Sequence, residues 1–114
     1  MIKAVFRRGS GSCNRFVGFE ISGHSGYADS GSDIVCAAVT SAVQLAANAL
    51  TETVRVGAEV TVGENVISLR LPDVIGDSQK EYAVTVIFEA LLLHLETLSE
   101  QYRGTIQIKV MEVK

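Results

Sequence analysis

Residues 33–50 read DIVCAAVTSAVQLAANAL, and this run of small apolar residues predicts a long buried helix. Its apolar positions recur at helical spacing on two adjoining faces, so we expect the helix to pack closely on more than one side. Ser32 or Asp33 can cap its N-terminus, because short oxygen-bearing side chains accept hydrogen bonds from the first backbone N–H groups. We expect the helix to run to about Val56, with Gly57 as the C-terminal stop.

A histidine and a cysteine stand at the two ends of the glycine-rich segment that leads into this helix, namely His24 and Cys36. A cysteine in the first turn of a helix has its thiolate favoured by the helix dipole and by unpaired backbone N–H groups. A nearby histidine can take or supply a proton, and the pair offers two of the parts that a thiol nucleophile needs. By position alone, however, a cysteine is more often a small buried core residue, and a lone loop histidine is most often solvated.

Two further polar residues near Cys36 allow more than one interpretation. Asp33 can cap the helix, or it can orient His24 as the third member of a triad, although its negative charge would oppose a thiolate nearby. Thr40 lies one turn after Cys36 on the same face, where its hydroxyl can contact the nucleophile or a substrate backbone. Bonding of that hydroxyl to its own helix is the more common behaviour.

Ligand-binding interpretations of the same segment are weaker. The candidate metal ligands are His24, Asp29, Asp33 and Cys36. No two of them have the close spacing of a standard site, so we expect no bound metal. The glycine-rich segment also matches neither the P-loop nor the dinucleotide fingerprint and holds no lysine, so phosphate binding is not favoured. We expect no cofactor, and we interpret Cys13 as an incidental thiol.

Alternating apolar residues predict five strands, at residues 2–8, 16–22, 59–62, 66–71 and 105–110. The first two are expected to pair as a hairpin, since glycines and serines separate them. A second helix is predicted at about 79–102, capped by Ser78 and ended by Gly104. The order ββαββαβ predicts an α+β fold: a two-layer sandwich with a mostly antiparallel or mixed five-stranded sheet and two helices on one face.

The second helix has an unusually broad apolar surface. Its main stripe comprises Val84, Ile87, Phe88, Leu91, Leu95 and Leu98. Tyr82, Val86 and Leu93 extend that surface, which indicates either a subunit interface or packing under a loop. His94, which lies among leucines, is interpreted as a packed core or interface residue.

Bulk properties narrow the class of protein. The chain has 114 residues and a formal net charge of −3, so we expect one domain over 1–114 and no direct binding to nucleic acid. No secretory signal or apolar stretch long enough to span a membrane is apparent, so we expect no membrane partner. Two cysteines fit neither a disulfide scaffold nor a zinc site, and a reducing, cytoplasmic location follows.

The residues SGH at 22–24 and GSDIVCAAVTSA at 31–42 resemble the motif of the ribosomal-processing cysteine protease family of Gram-positive and related bacteria. The resemblance covers essentially the whole chain. It implies that His24 and Cys36 form the catalytic dyad, with Asp33 and Thr40 as supporting candidates. Thr40 stands where a serine is common in the family. In the same segment, Gly23 and Ser25 are candidates for substrate binding.

The resemblance also implies an activity and its partners. Family members remove the N-terminal extension of the large-subunit ribosomal protein numbered twenty-seven, cutting after a pair of phenylalanines. They are dimers, so a homodimer is expected here. Backbone N–H groups at the helix start, near Cys36, are expected to bind the oxyanion. The alternatives are a non-catalytic ribosome-assembly binding module and, with less support, a redox-active thiol protein, because no resolving cysteine lies near Cys36.

Overall fold

Five strands and two helices make up the chain in the computed structural model, which describes residues 1–9, 15–23 and 33–113. The strands are β1 (Ile2–Gly9), β2 (Phe16–Ser22), β3 (Glu59–Gly63), β4 (Val66–Arg70) and β5 (Ile106–Val113). The helices are α1 (Ile34–Asn48) and α2 (Ser78–Gln101). The predicted order ββαββαβ and the α+β class are confirmed.

The strands form one mixed sheet in the order β3-β4-β2-β1-β5. β1 pairs antiparallel with β2, as the hairpin prediction requires. Of the residues 9–12 predicted to turn between them, Gly9 is the last residue of β1 and 10–12 lie outside the described residues. β2–β4 and β3–β4 are also antiparallel, whereas β5 runs parallel to β1. The sheet therefore has β2 at its centre and β3 and β5 at its edges.

A single apolar layer lies between the sheet and the two helices. Phe6 on β1 and Phe19 on β2 face each other across the strand pair and are buried against Phe88 of α2. Phe16 stacks on Phe88 with ring centroids 5.4 Å apart. The predicted stripe of α2 is confirmed, because Val84, Phe88, Leu91, Leu95 and Leu98 are all buried.

Two predicted helix boundaries need correction. α1 continues as a π-helical turn at Ala49–Thr53, and Arg55, not Gly57, is the first residue to take a positive φ, at 61°. Lys80 Nζ donates to the Arg55 carbonyl at 3.1 Å and helps to hold that conformation. The predicted cap Ser78 is wrong: Asp77 caps α2, since its carboxylate is the stronger acceptor and is favoured by the helix dipole.

A buried arginine ties the sheet to α2. The Arg15 side chain donates to the carbonyls of Phe16 and Pro72, each at 3.0 Å, and its Nε pairs with Glu81 at 3.0 Å. Arg15 is only 8% exposed, so these contacts satisfy a guanidinium that would otherwise be costly to bury. The sequence pattern gives no sign of this role.

Both helices are long and apolar enough to cross a membrane by length and composition alone. Mean hydropathy reaches 1.6 in Ile34–Thr53 and 1.4 in Ser78–Gln101, so the prediction that no apolar stretch is long enough is wrong on those two criteria. A core helix passes the same test, and Val43 of α1 and Leu95 of α2 are buried in the layer against the sheet. We therefore describe both as core helices.

Candidate active site

Asp33 fixes the first turn of α1. Its Oδ1 accepts hydrogen bonds from the backbone N–H groups of Val35 and Cys36, each at 3.1 Å, and its own carbonyl accepts from Ala37 at 3.2 Å. The Asp33 residue is buried, with 7% of its surface exposed. Of the two candidate caps, Asp33 is therefore the one used, and capping is confirmed as one of its roles. Orientation of His24 by Asp33 stays a prediction, since His24 lies outside the described residues.

The same bonds describe the donors at the expected oxyanion site. The N–H groups of Val35, Cys36 and Ala37 are all engaged with Asp33, through its side chain or its carbonyl. Binding of an oxyanion by N–H groups at the helix start stays a prediction.

Cys36 lies at the surface of the core and is not sealed inside it. Val35 before it and Val39 one turn later are buried, and they anchor this turn of α1 against the sheet. Cys36 itself is half-buried. The interpretation of Cys36 as a fully buried core residue is therefore wrong, and its side chain is reachable from solvent.

Gly23 occupies a position that only glycine can fill. Its φ is +88°, and its N–H donates to the Asn65 carbonyl at 3.0 Å. A Cβ built there would lie 2.5 Å from the Met1 carbonyl oxygen, closer than real contacts allow. Gly23 thus fixes where the chain leaves β2, one peptide bond before His24 in sequence.

Gly23 and Cys36 line one cavity of about 290 Å³, which we call the α1–β3 cleft. One wall is the exposed side of α1, and the other is the inner face of the β3–β4 end of the sheet. Its other lining residues include Val39, Thr40, Val43, Gln44, Val62, Asn65, Val66 and Ile67. The sequence pattern does not single out Val62 or Asn65, because their meeting with Cys36 depends on strand register. Gln44 lies on α1 two turns after Cys36, and its helical spacing could have placed it on the same side. The sequence feature closest to Val62 and Asn65 is the predicted β3–β4 turn, which a glycine and an asparagine mark.

Thr40 lies in the cleft and is exposed, so its predicted place one turn after Cys36 is confirmed. Elsewhere in the chain Thr51, Thr85 and Thr97 donate to the carbonyl four residues earlier. Among the described residues Thr40 makes no such bond to its own helix. Thr40 therefore lies beside the cleft with a hydroxyl that its own helix does not engage.

The remaining predicted residues are placed as follows. Cys13, His24, Ser25 and Asp29 lie outside the described residues. His94 is exposed, so its interpretation as a packed core residue is wrong. It lines a groove of about 640 Å³ between the helices, which we call the α1–α2 groove; further lining residues are Ala42, Leu45, Ala49, Val86 and Ile87.

Comparison with known proteins identifies relatives along nearly the whole chain. The family model described as cysteine protease Prp matches residues 1–107. The ribosomal processing cysteine protease Prp of Bacillus subtilis is 27% identical over 110 residues, covering 95% of this chain and 96% of the relative. A protein of Streptococcus mutans is 28% identical in structural alignment, with a TM-score of 0.74 over 99% of this chain and 96% of that one.

A Staphylococcus aureus ribosomal processing protease, solved with a covalently linked product peptide, has a TM-score of 0.81 at 19% identity. The alignment covers 96% of this chain and 99% of that chain. At that identity the likeness supports the α+β fold described above.

Replacing Asp33 by alanine should lower the free energy of unfolding by about 1 kcal/mol, because two first-turn N–H groups lose their acceptor. Asp33→Asn should cost less than half of that, since asparagine is an equally good cap. Urea denaturation measures both. Asp77→Ala is the matched control, because Asp77 caps α2 through the same two bonds. An Asp33→Ala variant as stable as the parent would contradict the cap.

Gly23→Ala should be more destabilising than Gly76→Ala. Both glycines have positive φ, so each alanine adds about 1–3 kcal/mol of backbone strain. Only at Gly23 does the new Cβ also meet a backbone oxygen, since nothing lies within 4 Å of a Cβ at Gly76. Thermal and urea unfolding would compare the two, and equal losses of stability would show that the close approach to Met1 is relieved at no cost.

Proposed function

The chain belongs to the cysteine protease Prp family and is a cysteine protease, and on this premise we propose that Cys36 is its nucleophile and His24 its general base and acid. The observation that carries the proposal is the position of Cys36: a half-buried thiol in the first turn of α1, opening into the α1–β3 cleft. Gly23 lines the same cleft, and His24 follows it in the chain by one peptide bond.

The reaction proceeds in two stages. His24 takes the thiol proton, and the Cys36 thiolate attacks the carbonyl carbon of the peptide bond to form a tetrahedral intermediate. Collapse of this intermediate breaks the C–N bond, and the amine leaves with the proton returned by His24. A water molecule, deprotonated by His24, then hydrolyses the thioester and restores the thiol.

Asp33 and Thr40 support this chemistry in different ways. Asp33 is a positioning residue, because its cap fixes the backbone of Cys36 and therefore the point from which the thiol side chain extends. Thr40 shares the cleft with Cys36, and its exposed hydroxyl can donate to a substrate oxygen. A side-chain donor would help to stabilise the oxyanion here, because the N–H groups of Val35, Cys36 and Ala37 are engaged with Asp33.

The substrate we propose is the N-terminal extension of the large-subunit ribosomal protein numbered twenty-seven. The Bacillus subtilis relative is named a ribosomal processing protease, and a Staphylococcus aureus relative has been solved with a substrate peptide. A cleft lined by apolar residues and a few polar groups suits an unfolded peptide leader. We further propose that the enzyme acts in the cytoplasm, where ribosomes are assembled and thiols stay reduced.

We also propose that two copies associate through the α1–α2 groove. Leu45 and Leu93, on the outer surfaces of the two helices, are 73% and 65% exposed. At 1.5 Å per residue, the 24 residues of α2 are about 36 Å long and the 20 residues of Ile34–Thr53 about 30 Å, and each helix is about 10 Å wide. Their outer face thus offers about 660 Å², somewhat less than the roughly 800 Å² that each partner buries in a standard interface. A twofold axis through the groove would cover the apolar face of both copies.

Cys36→Ala should abolish cleavage of a synthetic peptide spanning the leader junction, and His24→Ala should slow it about 10²–10⁴-fold, because the thiol then lacks its base. Mass spectrometry of the peptide products gives the rates, and circular dichroism checks the fold. Cys13→Ala is the matched control and should retain the parent rate. Full cleavage by both active-site variants would overturn the dyad, and binding of the peptide without cleavage by the parent would favour the binding-module alternative.

Light scattering coupled to gel filtration should give the parent chain a mass of twice 12.2 kDa. Leu45→Glu, in the groove, and Leu93→Glu, on the outer surface of α2, should each yield monomers, because a charge within an apolar interface is left without a partner. Val74→Glu is the matched control, since Val74 is 80% exposed and lies outside both helices. A monomeric parent, or dimers in both leucine variants, would contradict this interface.

A further inference from the structure

The sheet is wider than the helical layer that covers it. Strand register aligns Val62, Ile67, Ile21 and Ala4 in one row across β3, β4, β2 and β1. Ala4 and Ile21 in this row are buried, Ile67 is half-buried, and Val62 is 73% exposed. The row therefore passes from the core to solvent as it crosses to the β3 edge. Val62 projects from the same face as the core residues, and within residues 1–9, 15–23 and 33–113 no helix covers it.

The uncovered end of this row forms the floor of the α1–β3 cleft. Val39 and Val43 of α1 stand beside it, Val62 and Ile67 lie beneath it, and Cys36 lies on its rim. The cavity of about 290 Å³ is at the lower limit for small-molecule pockets, so it suits one or two side chains better than a cofactor. A cavity of that volume is about 7 Å across, the length of two residues of extended chain.

We propose that the α1–β3 cleft receives an apolar side chain of the peptide substrate, from a residue no more than two positions from the cleaved bond. Val62 is then the specificity-determining residue that sets the size of the side chain accepted. This inference rests on the proposed function, because the occupant is the substrate of Cys36. Continuity of the cleft with the Cys36 rim selects this occupant, since a peptide attacked by the thiol must pass over the cavity.

Val60 provides an internal control for this role. It lies on β3 two residues before Val62 and, facing Leu69, projects from the same side of the sheet. It is 39% exposed and does not line the cleft. A change at Val60 therefore alters the same edge strand without altering the cavity beside Cys36.

The test measures binding in the Cys36→Ala background, where no turnover occurs. The probe is a synthetic junction peptide in which the two residues before and the two residues after the cleaved bond are alanine. Leucine or phenylalanine is then introduced at each of these positions in turn. At one position the restored side chain should tighten binding at least tenfold by calorimetry. Adding Val62→Trp should reduce that gain to less than twofold, because indole fills the cavity, whereas Val60→Trp should preserve it. A gain that survives Val62→Trp, or is lost equally with Val60→Trp, would overturn the inference.

A second variant guards against misfolding of the tryptophan variant. Val62→Ala enlarges the cleft, so the ratio of phenylalanine to leucine affinity at the responsive position should rise at least threefold. An unchanged ratio in a folded Val62→Ala protein would also overturn the inference. Cleavage of the junction peptide by the parent enzyme is scored separately. If the parent cleaves the peptide but binding does not depend on Val62, only this inference is overturned. If binding depends on Val62 but the parent does not cleave the peptide, only the proposed function is overturned.

Discussion

The position of the Cys36 thiol depends on the cap that Asp33 places on α1. One carboxylate oxygen accepts from Val35 and Cys36 at 3.1 Å, and this pair of bonds decides where the helix begins. Because Val35 and Val39 are buried against the sheet, the cap and the core together fix the backbone of Cys36 from two sides. The same cap engages the N–H groups of Val35 and Cys36 at the helix start. In the proposed mechanism the Thr40 hydroxyl, which lies in the same cleft, is a further donor to a substrate oxygen.

Incomplete coverage of the sheet gives the thiol an approach for a peptide. The buried residues of both helices pack over the central strands, where Phe6 and Phe19 are almost fully buried, and they leave the inner face of β3 open. Gly23 and Asn65 close the end of this opening through one backbone hydrogen bond. A cleft beside Cys36 therefore follows from the strand order and from the width of the helical layer.

Local sequence patterns predicted the element order and limited the cap of α1 to Ser32 or Asp33, because helical and strand periodicity and capping chemistry act over a few residues. The errors arose where neighbouring groups compete for one role. Asp77 displaced Ser78 as a cap, and the helical turns end at Val54, before the expected stop at Gly57. Val62 and Asn65 could not be assigned to the site, since they meet Cys36 only through strand register. The buried Arg15 was missed for the same reason, because its partners Pro72 and Glu81 are distant in sequence.

Formation of a thioester on Cys36 is the central claim, and acid quenching of the enzyme during turnover of the junction peptide tests it most directly. Trypsin separates the two cysteines, because Arg8, Arg15 and Arg55 place Cys13 in residues 9–15 and Cys36 in residues 16–55. We predict that mass spectrometry finds the acyl half of the peptide on the 16–55 fragment, and that hydroxylamine removes it. Turnover without an adduct on that fragment, or an adduct on the 9–15 fragment instead, would contradict the account.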